Sequence, residues 1–431
     1  MASYTIACDC RKPVAGLIRQ AFAEWDIDPT HSFLVGDKES DLQAAATAVI
    51  EGHLLKAATC TNSCRSGKRS ARGITVKILV VNLMHVGDLL LVTPVLRTLR
   101  TNYPDAHIAL LADAKLADLV KYNQNLSELI TIDKKGYHNQ LWRYLQFVAS
   151  IRRRRFDLVI NLHANERATF IAAFSGARRV IGYASWGLGA FFDVVIENRK
   201  RVKHQVHAHF DVLKEGLGLQ HIDDRGLEMW LDEAAEATAA RLWQEAFPEP
   251  GLPVVGLNIG ASWPTKRWPK ESFASLADRL LAKGYGIAYF GGPMDVAVVN
   301  EALHLMQSGD RSRVGVFTGR VSLLELASLL KKCRVLVTND SGPMHVAVAM
   351  DVPLVSMFGA SPVTGFYPYN NKSVVLKTPV PCHPCYEHSC RKGDLECMYS
   401  ITVDTVLDKT LELARLYGGE AGREQTDAGI P

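Results

Sequence analysis

Lys77-Ile-Leu-Val-Val-Asn-Leu83, followed at once by Met84-His85-Val86-Gly87-Asp88, decides the fold. The first seven residues form a near-continuous apolar run. That composition suits a strand covered on both faces, as strands in parallel sheets are. Val86-Gly87-Asp88 makes the turn, and Leu89 to Arg100 reads as a helix with Pro94 in its first turns. The alternation continues outward from this start. Strands are expected from His107, over Glu128 to Lys134, over Phe156 to His163 and over Arg178 to Tyr183, with a helix over Leu141 to Arg152. Strand and helix in strict alternation predict an α/β doubly wound sheet.

A second start of the same kind lies at Pro253 to Gly260, PVVGLNIG, just after the Pro/Gly break at 247–252. Helices and strands alternate from there to a terminal helix over 401–417. Each strand ends in Gly, Asn, Asp or Ser, at the edge where open α/β sheets bind ligands. The expected organisation is two Rossmann-like domains, 76–248 and 249–417, facing a cleft suited to two substrates. A small α/β fragment (1–56) and a polar, basic linker (57–75) precede them, and a loose tail (418–431) follows. No GxGxxG follows Leu83 and no GxxxxGK[ST] occurs, so dinucleotide-binding and P-loop readings are weak.

Composition sets outer bounds. The chain has 431 residues, 48% hydrophobic and 22% charged, with a formal net charge of +4. That is a globular mixture, neither disordered nor collagen-like, and too mildly charged to imply nucleic acid. Its nine cysteines are clustered and odd in number. With no basic start followed by a long apolar run at the N-terminus, they suggest a reducing, cytoplasmic setting. No charge-free window is long enough for a transmembrane helix. Arg152 to Arg155 read as a solvated helix end, while Arg199, Lys200, Arg201 and Lys203 can meet an anionic acceptor or, peripherally, the inner face of a membrane.

Four segments carry chemistry. Gly87 permits a tight turn and sets Asp88 at a helix start, where it can be a general base or a plain helix cap. Gly260 to Pro269 offers Ser262, Thr265, Lys266 and Arg267; the two cations suit a diphosphate leaving group, while a solvated basic loop is the plainer reading. Thr338 to His345 places Asp340, Ser341 and Gly342 where helix-start N–H groups make an anion site, with His345 one turn further in. Asn165 follows another strand end on the acceptor side. Cys382, Cys385, Cys390 and Cys397 form the fourth segment. Their first pair has metal-knuckle spacing, and structural zinc or iron stands beside a loop packed by thiols.

These stretches resemble those of the bacterial ADP-heptose:lipopolysaccharide heptosyltransferases, most closely the heptosyltransferase II type of glycosyltransferase family 9. The resemblance spans 77–417 and rests on KILVVNLMHVGDLLLVTP from Lys77, GASWPTKRWP from Gly260, TNDSGPMH from Thr338 and CHPCYEHSC from Cys382. It implies a GT-B fold and inverting transfer of heptose from an ADP-heptose to a saccharide hydroxyl of an anionic, lipid-linked core, without a metal for the chemistry. It makes Asp88 the base, Lys266 the group stabilising the leaving diphosphate, and Asp340, Ser341, Gly342 and His345 the donor-binding segment. Met84-His85 departs from the family's start motif. Gly291 to Asp295 lacks the Glu-Arg pair common after that proline. The cysteines are also similar to an iron-binding motif of relatives that heptosylate proteins, so a protein or other small-molecule acceptor is the alternative.

Residues 6–45 resemble the C-terminal part of heptose 1,7-bisphosphate phosphatases of the haloacid dehalogenase superfamily. Lys12 matches a phosphate-binding lysine, Asp37 and Asp41 match metal-region acids, and Cys8 and Cys10 match half a zinc site. Nothing upstream supplies the nucleophile that a phosphoryl-enzyme needs. Phosphatase activity is therefore not expected from this fragment, and a non-catalytic nucleotide-sugar scaffold is the remaining rival for the main body.

Overall fold

The computed structural model describes residues 15–24, 28–36, 39–54 and 75–417. The chain divides into two compact units, Met1–Ile74 and Thr75–Pro431. In the first, α1 (Gly16–Glu24) precedes β1 (Phe33–Gly36), α2 (Glu39–Thr47) and β2 (Glu51–Leu54), and the two strands pair in parallel. Cys8, Cys10, Lys12, Asp37, Cys60 and Cys64 lie outside the described residues. Asp41 is buried on α2.

The second unit holds two six-stranded parallel sheets. The first begins with β3 (Lys77–Val81), followed by α3 (Val86–Leu90), α4 (Thr93–Asn102), β4 (His107–Asp113), β5 (Glu128–Ile132), α5 (Leu141–Arg153), β6 (Leu158–Asn161), α6 (Glu166–Phe174), β7 (Arg179–Gly182), β8 (Val194–Val195) and α7 (Gln205–Leu217). Its strand order is β5-β4-β3-β6-β7-β8. Ile78, Leu79, Val80 and Val81 are wholly buried, each worth roughly 1.5–3 kcal/mol against exposure.

The helix expected over Leu89 to Arg100 is two helices. Pro94 has no N–H to give the Leu90 carbonyl, and the Thr93 hydroxyl takes that carbonyl instead at 2.8 Å.

After α8 (Glu233–Ala246), the second sheet is built from β9 (Val254–Asn258), α9 (Lys270–Ala282), β10 (Gly286–Phe290), α10 (Val296–Leu305), β11 (Val314–Val316), α11 (Leu323–Lys332), β12 (Val335–Asn339), α12 (Gly342–Ala349), β13 (Leu354–Phe358), α13 (Val363–Phe366) and β14 (Ser373–Lys377), closed by α14 (Glu396–Tyr399) and α15 (Val403–Leu416). Its order, β11-β10-β9-β12-β13-β14, repeats the first. These are the two Rossmann-like domains expected, in the GT-B arrangement.

One boundary moves. Helix α8, expected to close the first domain, packs on α11 and β11 of the second, with the Trp243 and Phe317 rings parallel at 6.3 Å. We therefore place the crossover at 218–232. Arg97 of α4 holds that stretch through Asp223 (3.0 Å) and Glu228 (2.7 Å). The halves are also clasped where Tyr369 bonds Asp224 at 2.7 Å and His207 at 3.2 Å.

Candidate active site

In each sheet the strand order reverses beside the first strand: between β3 and β6, and between β9 and β12. A crevice opens at such a point, outside the carboxyl ends of the strands. The turn after β3 leads into α3, the turn after β12 leads into α12, and these helices pack against each other. Small residues make the approach close. A Cβ on Gly87 would stand 2.4 Å from His345 Cδ2, and one on Gly342 would stand 2.9 Å from Val86 Cβ.

Asp88 lies in the first turn of α3, and no backbone N–H at that helix start bonds its carboxylate. Of the two readings open at this position, the helix cap is not the one adopted. Its neighbour is His85, with Nδ1 at 3.7 Å from Oδ2. Burial acts to raise the Asp88 pKa, but the nearby His85, together with His345 and Lys200, outweighs it, so the group is held below the usual carboxylate range. His163 and His209 also feel the Asp88 charge, yet desolvation pushes them down, His163 to about 4. An ionised acid surrounded by largely neutral imidazoles can accept a proton.

On the other wall Lys266 Nζ meets Asp340 Oδ2 at 2.7 Å, and the same oxygen accepts from Ser361 at 2.5 Å. Trp263 lies under the ammonium, 4.5 Å from ring centre to Nζ. The loop is held from behind. Thr265 donates to the Glu387 carbonyl (2.6 Å), Arg267 folds back onto the Ala261 carbonyl (2.8 and 2.9 Å), and Trp268 bonds Asn339 and Ile401. Ser262 is exposed on the loop. Ser341 occupies the N-cap position of α12 without capping it; its hydroxyl accepts from Asn258 at 2.9 Å. His345 is buried, its Nδ1 has no partner, and desolvation lowers its pKa against the pull of Asp340 and Asp88.

The structure thus gathers Gly87, Asp88, Lys266, Asp340, Ser341, Gly342 and His345 at one junction. Thr265 and Arg267 build the loop. Asn165 caps α6 by accepting from Ala168 N–H at 2.8 Å. Of the basic set, Arg199 pairs with Asp211 and Glu215, and Lys203 pairs with Asp211; Lys200 alone of these bears on Asp88. Sequence reasoning missed Asp295 as a site residue; it placed the neighbourhoods of His163 and Lys200 on the acceptor side without giving either a bearing on Asp88. Asp295 is buried against Gly260, with Oδ2 accepting from Gly292 N–H and Oδ1 unpartnered. The glycines at 260, 291 and 292 were the available signal for it.

The four cysteines lie near one another, and the Cys397 thiol is raised by burial first and then by the other three. Backbone N–H groups around Lys392 to Leu395 lower the Cys390 pKa. Among the described residues, however, no three His, Cys, Asp or Glu side chains converge to hold a metal ion. This arrangement does not fit the expected zinc or iron, and no step is routed through one. The segment's connection to the site is mechanical, through Glu387 to Thr265 and through His388 stacked on Trp263 at 4.2 Å.

Comparison with known proteins bears on the whole arrangement. The profile described as glycosyltransferase family 9 (heptosyltransferase) matches residues 144–396, and one described as HAD-hydrolase-like matches 9–63. Lipopolysaccharide heptosyltransferase 2 of Escherichia coli strain K12 is 25% identical over 338 residues, covering 78% of this chain and 97% of that protein. The crystal structure of a family 9 glycosyl transferase from Veillonella parvula superposes with a TM-score of 0.73 at 31% identity, over 80% of this chain and 100% of that one. The structure of E. coli ADP-heptose lps heptosyltransferase II superposes at 0.65 and 23% identity, over 80% and 100% of the two chains, and speaks for the fold alone.

Proposed function

Because this chain belongs to glycosyltransferase family 9, the heptosyltransferases, we propose that it moves a heptose from ADP-L-glycero-β-D-manno-heptose to a hydroxyl of lipopolysaccharide inner core, with inversion at the anomeric carbon. The observation that carries this reading is the contact of Gly87 with His345. It brings the Asp88 carboxylate beside the start of α12, where a nucleotide diphosphate would sit.

In this reading the acceptor hydroxyl gives its proton to Asp88 as its oxygen attacks the anomeric carbon. The bond from that carbon to the diphosphate breaks, and ADP leaves with the electron pair. Attack from the face opposite the leaving group inverts the centre. Lys266 and the N–H groups at the start of α12 meet the charge that grows on the diphosphate, a type of stabilisation often worth 10²–10³ in rate, about 3–4 kcal/mol. Asp340 and Trp263 hold the Lys266 ammonium in place. Neutral His345 offers an open nitrogen to a phosphate or sugar oxygen, and Asp295 Oδ1 is an open acceptor for a nucleoside hydroxyl. In this reading every group that acts on the substrates is a side chain or backbone N–H of this chain.

The names of the curated relatives support a lipopolysaccharide acceptor over a protein one. No helix among the described residues is long and apolar enough to cross a membrane. The test is mass spectrometry of a panel of core saccharides and proteins incubated with ADP-heptose. A gain of one heptose on a core saccharide is expected. Release of phosphate from a heptose bisphosphate, with no transfer, would move the activity to the N-terminal fragment.

A further inference from the structure

Helix α5 is unusual among the helices of the first domain. Its sequence, LWRYLQFVASIRR, holds three arginines and no acid. Leu141 and Trp142 are 73% and 71% exposed, and Leu145 is exposed beside them. At about 100° per residue, Leu141, Arg152 and Leu145 share an arc of roughly 40°, and Trp142 and Arg153 extend it to about 120°. Ile151 is buried on the other side, where Tyr144 and Phe147 also pack on the core. Arg152 and Arg153 are exposed and have no acidic partner among the described residues. Tyr137, just before the helix, is exposed with the Arg143 guanidinium 4.1 Å over its ring.

Half-buried rings packed on the core link the helix to a second pair of exposed aromatic side chains. Tyr144, Phe170, Phe174 and Phe191 form a run of rings at successive centroid distances of 5.7, 4.5 and 5.3 Å. Phe191 is half-exposed, and Trp186 stands out at 74% exposure from a turn at φ 59°. The exposed part of this face is Tyr137, Leu141, Trp142, Leu145, Trp186 and Phe191, and an exposed apolar patch of that kind marks a contact. Rings and leucines interleaved with unpaired arginines match the boundary between acyl chains and anionic headgroups. The segment after β5, which leads into α5, adjoins the turn that carries Asp88: Lys134 Nζ bonds the Leu83 carbonyl, and Arg167 bonds the Lys134 carbonyl.

We propose that the face formed by Tyr137, α5, α6 and the Trp186–Phe191 turn docks on an anionic phospholipid bilayer, with Leu141, Trp142 and Leu145 entering the interface and Arg152 and Arg153 meeting phosphate headgroups. It leans on the proposed function only for the reason a membrane is near, since a lipid-linked acceptor must reach Asp88 from its bilayer.

Co-sedimentation of the full chain with phosphatidylcholine–phosphatidylglycerol vesicles, and with phosphatidylcholine alone, tests it without any transfer assay. The wild type should pellet with the anionic vesicles and far less with the neutral ones. R152Q/R153Q should lower the partition coefficient by about 25-fold, roughly fivefold per arginine. L141S/W142S/L145S should lower it by at least about tenfold. Both variants should keep wild-type transfer to a water-soluble core fragment and a wild-type melting curve, because the altered side chains face solvent. A wild type that stays in the supernatant, or a triple variant that pellets like it, overturns the proposal. So does a wild-type dimer that the triple variant dissociates, which would assign the face to a second copy. Absence of heptose transfer with vesicle binding intact would instead overturn the function and leave this surface standing.

Discussion

Gly87 has no side chain at the point where the His345 ring lies, and a Cβ there would be 2.4 Å from Cδ2 of that ring. The two halves of the site meet through this absence. Gly87→Ala forces a buried imidazole or the start of α3 to move. Overpacking of this kind costs about 1–3 kcal/mol. A lower melting temperature and a fall in kcat are expected together. Gly342→Ala, facing Val86 at 2.9 Å, should do the same more mildly. An unchanged melt and rate for Gly87→Ala would show that the helices meet differently.

Lys266 is held by Asp340 rather than free in solvent. Lys266→Met should reduce kcat/KM by about 10²–10³-fold, the scale of losing one leaving-group stabiliser. Asp340→Asn keeps the cation but releases its anchor, and a smaller loss is expected. Steady-state kinetics against ADP-heptose check both. A Lys266→Met enzyme that loses only affinity, with kcat intact, would make Lys266 a binding group and nothing more.

The pH profile carries a sign. Burial raises the Asp88 pKa, but His85, His345 and Lys200 lower it further, with His163 and His209 facing the same carboxylate. A base must be ionised, so the acidic limb of kcat/KM should fall below the ordinary carboxylate range. His85→Ala removes an imidazole whose Nδ1, 3.7 Å from Oδ2, favours the ionised form. Its limb should move to higher pH, and Lys200→Met should move it the same way. A limb that stays put or moves down in both variants would separate these groups from Asp88.

Arg97 anchors the crossover from inside. Arg97→Met takes the arginine from Glu228 and one of two from Asp223, which keeps Arg225 at 2.7 Å, and breaking a buried pair costs up to about 3–5 kcal/mol. Asp223 is lowered from 3.8 to about 2, by Arg225 first and also by Arg97, against burial. A folded pKa below the unfolded one stabilises fully above the unfolded value, and the gain is lost as pH falls through the folded value. Urea denaturation should therefore show the Arg97→Met deficit in full near neutrality and shrinking toward pH 2.

The two strand–turn–helix starts at Lys77 and Pro253 were legible because doubly buried strands need unbroken apolar runs and their turns need Gly, Asp or Asn. The donor-side loops were legible because phosphate chemistry draws on few residue types. The bearing of His163 and Lys200 on Asp88 was not, since it arises only when β6 lies beside β3 or when the chain folds back toward α13. The packing of α8 on the second sheet was not legible because the Pro/Gly break at 247–252 is a stronger local signal than the contact of Trp243 and Phe247 with Phe317. The cysteine spacing announced a cluster, but spacing does not fix where thiols point.

The central claim is that Asp88 takes the acceptor proton. The most direct measurement is heptose transfer from ADP-heptose to a core saccharide by the Asp88→Asn enzyme, followed by mass spectrometry, with ADP-heptose binding measured on the same sample. Donor binding close to wild type and a transfer rate lower by about 10²–10⁴-fold are expected for loss of a general base. Transfer at the wild-type rate with the asparagine in place would contradict the account.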